Sequence, residues 1–264
     1  MRSSLAADFQ WKVWHYRRAA ALVVALALAV VACPGASWAA TINYGNSGDI
    51  PPGITFSNVT ESSGTDPVPL YGPPSYFTTG MDFDPMGFVS SAGGGASDFT
   101  DGQLNFAVGD TPGGGQIAIN TIQLFEAGDF SLLGVGTSAT QAIAGAIIRV
   151  TVTEINGVPV APIVLSPSNA SVTFNLVSNP GLVQPWSLGT TINVDGQLAS
   201  NQNATRVEVA INNQLATLSQ PTSEAFIAKK EFIINVGTII PEPTGLCLLG
   251  AIAGATLLKR SRRL

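Results

Sequence analysis

Ile148-Arg149-Val150-Thr151-Val152-Thr153-Glu154-Ile155-Asn156-Gly157 alternates apolar and polar side chains and then stops at an Asn-Gly pair. Successive side chains of a β-strand point to opposite faces, so this alternation predicts a half-buried strand. Asn-Gly tolerates positive φ at two successive positions and predicts a type I′ hairpin into a second strand, Val158 to Leu165. The same period of two recurs in Val172, Phe174 and Leu176, in Val207, Val209 and Ile211, and in Phe232, Ile234 and Val236. Earlier strands are expected at Thr55 to Thr60, Gln103 to Val108, Gln116 to Phe125 and Phe130 to Gly134. Short strands broken by Gly, Pro and Asn predict an all-β fold, an antiparallel β-sandwich of about 8 to 11 strands, with a β-barrel as the alternative. No internal repeat points to a solenoid or propeller.

Working outward, residues 40–115 are richer in turns, with Pro51-Pro52-Gly53, Gly72-Pro73-Pro74 and Gly93-Gly94-Gly95, whereas 116–237 carry the regular alternation. One domain over 40–240 is the simplest partition, with a separate lobe at its start as the alternative.

Both ends of the chain differ from this middle. Arg2, Lys12, Arg17 and Arg18 precede the apolar run Ala19 to Ala32, and Ser37-Trp38-Ala39 places small residues where a signal peptidase reads them. A signal peptide over 1–39, cut between Ala39 and Ala40, is expected. Val30-Val31-Ala32-Cys33 loosely resembles a lipoprotein box and leaves a lipidated Cys33 as the other possible N-terminus. At the far end, Pro241, Glu242 and Pro243 precede an apolar run of 15 residues, Thr244 to Leu258, followed by Lys259, Arg260, Arg262 and Arg263. A membrane-spanning helix needs about 20 apolar residues, a length the snorkelling basic side chains and Ile239-Ile240 help to reach. Positive charge beyond the run holds that end in the cytoplasm and leaves the middle outside.

This tail resembles the PEP-CTERM sorting signal of Gram-negative bacteria, in which a Pro-Glu-Pro tripeptide, an apolar helix and an arginine cluster follow in that order. The resemblance covers the 24 residues 241–264. It implies a precursor held transiently in the inner membrane, an exosortase-like processing enzyme as partner beside the signal peptidase, and delivery to the cell surface or an extracellular polysaccharide matrix. Two prolines remove backbone donors and keep the segment extended at the membrane edge, a form a protease can bind as a strand.

Setting the ends aside changes the charge. Residues 40–240 hold 15 acidic side chains against only Arg149, Arg206, Lys229 and Lys230, a net −11. No basic patch is available to offset phosphates, which excludes a nucleic-acid partner. The single histidine, His15, and both cysteines, Cys33 and Cys247, lie in the two end segments. Catalytic triads with a histidine base, zinc sites built on His or Cys, and disulfides are therefore excluded from the middle.

Carboxylates and aromatic rings remain. Asp82 with Asp84, and Asp98 with Asp101, can offer hard oxygen ligands to Ca²⁺ or can cap turns as Asx motifs. No other cofactor is expected. Tyr71, Tyr76, Phe77 and Phe83 lie among Gly and Pro, and Trp186 follows Gln184-Pro185. Tyr71, Tyr76 and Trp186 are candidates for stacking on a sugar ring, with core packing as the competing role. The expected function is that of a non-enzymatic surface or matrix protein touching polysaccharide. The alternative is a glycan hydrolase working with two carboxylates, for which Asp82, Glu126 and Asp129 are the acids in question.

Overall fold

The computed structural model describes residues 40–47, 53–110 and 117–239. The expected signal segment 1–39, with Ala39, and the tail 241–264, with Pro241, Glu242, Pro243 and the basic cluster from Lys259, lie outside these residues. Ala40 is the first residue described.

Thirteen strands form two antiparallel sheets among the described residues. The first runs in the order β1 (Ala40–Gly45), β2 (Ile54–Ser63), β6 (Ser97–Asp110), β12 (Ala204–Leu218), β8 (Gln141–Ile155) and β10 (Ser168–Asn175), with β9 (Val158–Val164) also paired to β8. The second runs β11 (Gly181–Asn193), β7 (Ala118–Gly134), β13 (Ser223–Ile239), β4 (Gly80–Phe83) and β3 (Ser75–Phe77), with β5 (Val89–Gly93) also on β13. Neither sheet closes on itself, and no ladder joins them among the described residues. The arrangement is that of a β-sandwich rather than a barrel. Among the described residues no helix is long and apolar enough to cross a membrane.

The alternation read from sequence sets which residues face inward. Ile148, Val150 and Val152 of β8 are buried, as are Val207, Val209 and Ile211 of β12, and they meet Ile122, Leu124, Phe232, Ile234 and Val236 of the second sheet in one core. Asn156 and Gly157 have φ of 51° and 76°, the two positive values a type I′ turn requires, and Ile155 pairs with Val158 across it. The turn-rich segment enters both sheets, giving β1, β2 and β6 to one and β3, β4 and β5 to the other.

Two expectations are corrected. The strands expected at 116–125 and 130–134 are one continuous strand, β7. Glu126-Ala127-Gly128-Asp129 resembles a turn, yet Gly128 lies flush against β13, where a Cβ would sit 1.9 Å from the Ala228 carbonyl oxygen. The strand count also exceeds expectation, because short β3, β4 and β5 form through backbone pairing within Gly- and Pro-rich sequence that shows no alternation.

Candidate functional site

A β-bulge decides what each strand presents near the middle of the second sheet. Lys229 pairs with Gly128 and Glu231 with Ala127, leaving Lys230 as the extra residue. Before the bulge Ala225, Ile227 and Lys229 face inward, and beyond it Phe232, Ile234 and Val236 do. Lys229 is thus carried into the core with Glu126, while Lys230 pairs with Asp129 outside. The candidate acids Glu126 and Asp129 therefore lie on opposite faces of β7 and cannot act on one bond.

The aromatic candidates turn inward. Tyr71 is 0% exposed and Trp186 4%. Glu61 on β2, itself buried, accepts hydrogen bonds from the backbone N–H groups of Leu70 and Tyr71, and this draws the loop into the core. The Tyr71 ring then meets Phe88 and Phe232 edge-on at centroid distances of 5.2 and 4.9 Å. The Trp186 indole donates to the Ala228 carbonyl at 3.1 Å. Tyr76 is half-buried and stacks with Phe56 at 6.0 Å. Neither Tyr71 nor Trp186 is placed to meet a ligand from solution, because a large ring yields more by filling the core than by standing in a loop.

The acidic candidates do not converge. Among the described residues no three His, Cys, Asp or Glu side chains come together around a point. Asp101 Oδ1 accepts from Thr65 Oγ1 at 2.7 Å, from the Thr65 and Gly64 amides at 2.9 and 3.0 Å, and from Ser63 Oγ at 3.2 Å. Burial alone would raise its pKa, but the donors outweigh it, and the carboxyl titrates below the ordinary aspartate range. Asp98 Oδ2 accepts from the Ser91 amide at 2.8 Å. Both act as turn and edge clamps. Asp82 is half-buried on β4, and burial followed by the charge of exposed Asp84 raises its pKa.

The surface best suited to a ligand is the outer face of the first sheet, which sequence reading did not single out. Register places Ser62, Gln103, Asn212, Ile147 and Asn169 in one row across β2, β6, β12, β8 and β10. The next row toward one end brings Thr60, Asn105, Ala210 and Arg149 together, and beyond it lie Ala107, Glu208 and Thr151. A depression of about 420 Å³ lies over these last two rows, bordered by Val164 of β9. On the other side a second depression, about 230 Å³, is lined by Phe99, Asp101, Gln103, Gly145, Asn212 and Gln214. Phe99 is 46% exposed and Gly145 leaves its floor low. The signal was partly present in sequence, since β2, β6 and β12 alternate mostly polar or small residues against an apolar face, but β8 adds Ile143 and Ile147 to the same side and only cross-strand register joins the strands.

Chemically, this face offers amide groups that both donate and accept, hydroxyls, the guanidiniums of Arg149 and Arg206, the single carboxylates Asp101 and Glu208, apolar Ile147 and one half-exposed ring. Such a set pairs with a hydroxyl-rich neutral ligand. Each of the two depressions on this face is lined by a single carboxylate, Glu208 in the larger and Asp101 in the smaller.

No family model matches the sequence, and no curated protein matches it. Among solved structures, similarity extends to a carbohydrate-binding module specific for non-crystalline cellulose, at TM-score 0.24 and 8% identity over 62% of this chain and 76% of that one. It extends also to lectin I-B4 of Griffonia simplicifolia in its metal-free form, at TM-score 0.21 and 10% identity over 74% of this chain and 99% of that one. The lectin UEA-II complexed with galactose gives TM-score 0.23 and 6% identity over 74% and 98%. Likenesses this distant carry no functional argument, and the reading rests on the chain's own surface.

Proposed function

We propose that this chain is a non-enzymatic, exported protein of the cell surface or extracellular matrix, sorted through the Pro241-Glu242-Pro243 tail, whose first sheet meets a neutral polysaccharide with its outer face. The observation that carries the binding half is the run of hydroxyl and amide side chains Ser62, Gln103 and Asn212, with Gln214 beside it, next to half-exposed Phe99. Neutral sugars present hydroxyls to such groups and an apolar C–H face to a ring. The net −11 of residues 40–240 disfavours a polyanionic ligand and keeps the protein soluble in a hydrated matrix. The export half rests on the two end segments, which supply the signal-peptidase site, the exosortase-like recognition motif and transient anchorage in the inner membrane.

A glycan hydrolase needs two carboxyls about 5 to 9.5 Å apart across a cleft. Glu208 stands without a second carboxylate in the larger depression and Asp101 without one in the smaller. Neither depression of this face therefore supplies the pair that alternative requires.

Affinity electrophoresis through gels of neutral β-glucan and galactomannan tests the binding, with alginate as the polyanionic control. Retardation by a neutral gel, reduced about tenfold in affinity by Phe99→Ala combined with Gln214→Ala, is the expected result; a loss of that size corresponds to about 1.4 kcal/mol. Equal mobility in every gel, or retardation unchanged in the double variant, refutes it.

A further inference from the structure

Three polar side chains meet where a β-sandwich core should be apolar. Glu126 of β7 and Lys229 of β13 face inward from the second sheet, with Lys229 Nζ 2.7 Å from Glu126 Oε2 and both groups essentially inaccessible to solvent. Asn213 of β12 faces them from the first sheet and is 2% exposed. Its two cross-strand neighbours are Gly102 and Ala146, among the smallest residues available, which leaves room around the carboxamide. Neither the nitrogen nor the oxygen of that carboxamide completes a well-aligned hydrogen bond, although Glu126 lies near enough for the amide to bias its ionisation. Lys229 Nζ is ringed by Phe88, Phe232 and Tyr71, at 4.4, 5.1 and 5.8 Å from their centroids. Phe88 and Tyr71 also pack on Gly102, directly beside Asn213, where an added Cβ would meet them at 2.5 and 3.1 Å. One aromatic box therefore encloses the amine, the carboxamide and the carboxyl.

A buried ion pair and an unpaired buried amide are a poor way to stabilise a core. They are a good way to make a bond. We propose that Lys229 and Asn213 join in an intramolecular isopeptide bond, formed by attack of Lys229 Nζ on Asn213 Cγ with Glu126 moving the proton. The Nζ–Cγ bond forms and the Cγ–Nδ2 bond breaks. Glu126 polarises the Asn213 carbonyl as an acid, takes the proton that Nζ sheds, and delivers it to Nδ2, which leaves as ammonia. The balance is one amine and one carboxamide going to one secondary amide and ammonia, with no oxidant or other reactant. Burial favours the participating forms. It pushes the Glu126 pKa up against the opposing pull of Lys229 and Asn213, and it pushes the Lys229 pKa down against that of Glu126, and both directions lower the cost of passing the lysine proton to the carboxylate before the attack. The product removes the buried charge on lysine and the unpaired amide nitrogen together. It also ties β13, the strand that leads to Pro241, across the core to β12 of the other sheet.

Peptide mapping of the full-length chain, unfolded and digested with trypsin, tests the bond without reference to how the termini are processed. Asn213 and Lys229 lie in one tryptic fragment. With the bond in place, cleavage after Lys229 is blocked and the fragment is Val207 to Lys230, lighter than its sequence by one ammonia. Further digestion with chymotrypsin at Leu215, Leu218 or Phe226 leaves the Asn213 and Lys229 pieces joined. Lys229→Arg, Asn213→Ala and Glu126→Gln are each expected to give linear fragments of sequence mass. Recovery of Val207 to Lys229 at its unmodified mass from folded wild-type protein overturns the proposal, whether or not the variants fold. So does an ammonia loss that stays on the Asn213 piece alone, which is cyclisation of that asparagine on its own backbone. Full cross-linking in Glu126→Gln removes Glu126 from the reaction.

Discussion

Replacing Gly128 by alanine tests how β7 and β13 fit together at the bulge. An alanine Cβ there would lie 1.9 Å from the Ala228 carbonyl oxygen, 2.9 Å from its carbon and 3.0 Å from Lys229 Cα, all backbone atoms. None of these can swing aside. The Ala228 oxygen also holds the Trp186 indole N–H, and the Lys229 amide donates to the Phe88 carbonyl at 3.0 Å, so β13 is anchored at this point. The strands must part by more than an ångström, with overpacking strain of about 1–3 kcal/mol. Losing the indole bond and leaving a buried donor unpaired adds about 1–3 kcal/mol. Reduced freedom of the unfolded chain returns about 0.4–1 kcal/mol. The net expectation is a loss of about 1–5.5 kcal/mol, set against the roughly 5–15 kcal/mol that holds a typical domain. Gly93→Ala is the control, because its Cβ would meet only Glu224 Cγ at an ordinary 3.6 Å. Urea unfolding of both variants, followed through Trp186 fluorescence, measures the difference. Trp186 is the sole tryptophan of residues 40–240 and touches the perturbed carbonyl. If Gly128→Ala unfolds within about 1 kcal/mol of Gly93→Ala, smaller than any sum of the two costs above, the close-approach argument is wrong.

Trp186→Phe removes the indole donor while keeping most of the ring and is expected to cost about 1 kcal/mol in urea unfolding followed by far-ultraviolet circular dichroism, against about 3–5 kcal/mol for Trp186→Ala. Asp101 has a folded pKa below its unfolded value near ~3.9, so its stabilisation is complete above that value and disappears as pH falls through the lowered one. Asp101→Asn should lower the melting temperature at neutral pH and flatten the acid-side decline, and an unchanged acid profile would count against the clamp. Replacing Pro241 and Pro243 by alanine is expected to leave the precursor in the membrane fraction; normal amounts outside the cell would refute processing at that motif. Neutral replacements of Arg260, Arg262 and Arg263 should alter the size or location of the product on an immunoblot, and an unaltered pattern tells against the topology.

Much of the fold is legible residue by residue because strand geometry is local. Alternation with a period of two marks β8, β10, β12 and the end of β13, and Asn156-Gly157 specifies its own turn through backbone conformations that few residue pairs adopt. Charge partition and the confinement of His15, Cys33 and Cys247 to the ends are likewise matters of composition, and they narrow the chemistry before any contact is known. The candidate site is another matter. Phe99, Gln103, Asn212, Gln214 and Gly145 come from three strands and become one surface only through the register of β6, β12 and β8. Asn212-Asn213-Gln214 is a polar triplet by sequence, and pairing decides that its middle member alone turns to the core. Lys229-Lys230-Glu231 is a charged triplet in the same way, and a single extra residue at the bulge sends Lys229 inward and its neighbours out. A one-residue shift exchanges the faces of a strand. Where charge enters the core is therefore set by pairing between segments about a hundred residues apart, which no local pattern encodes.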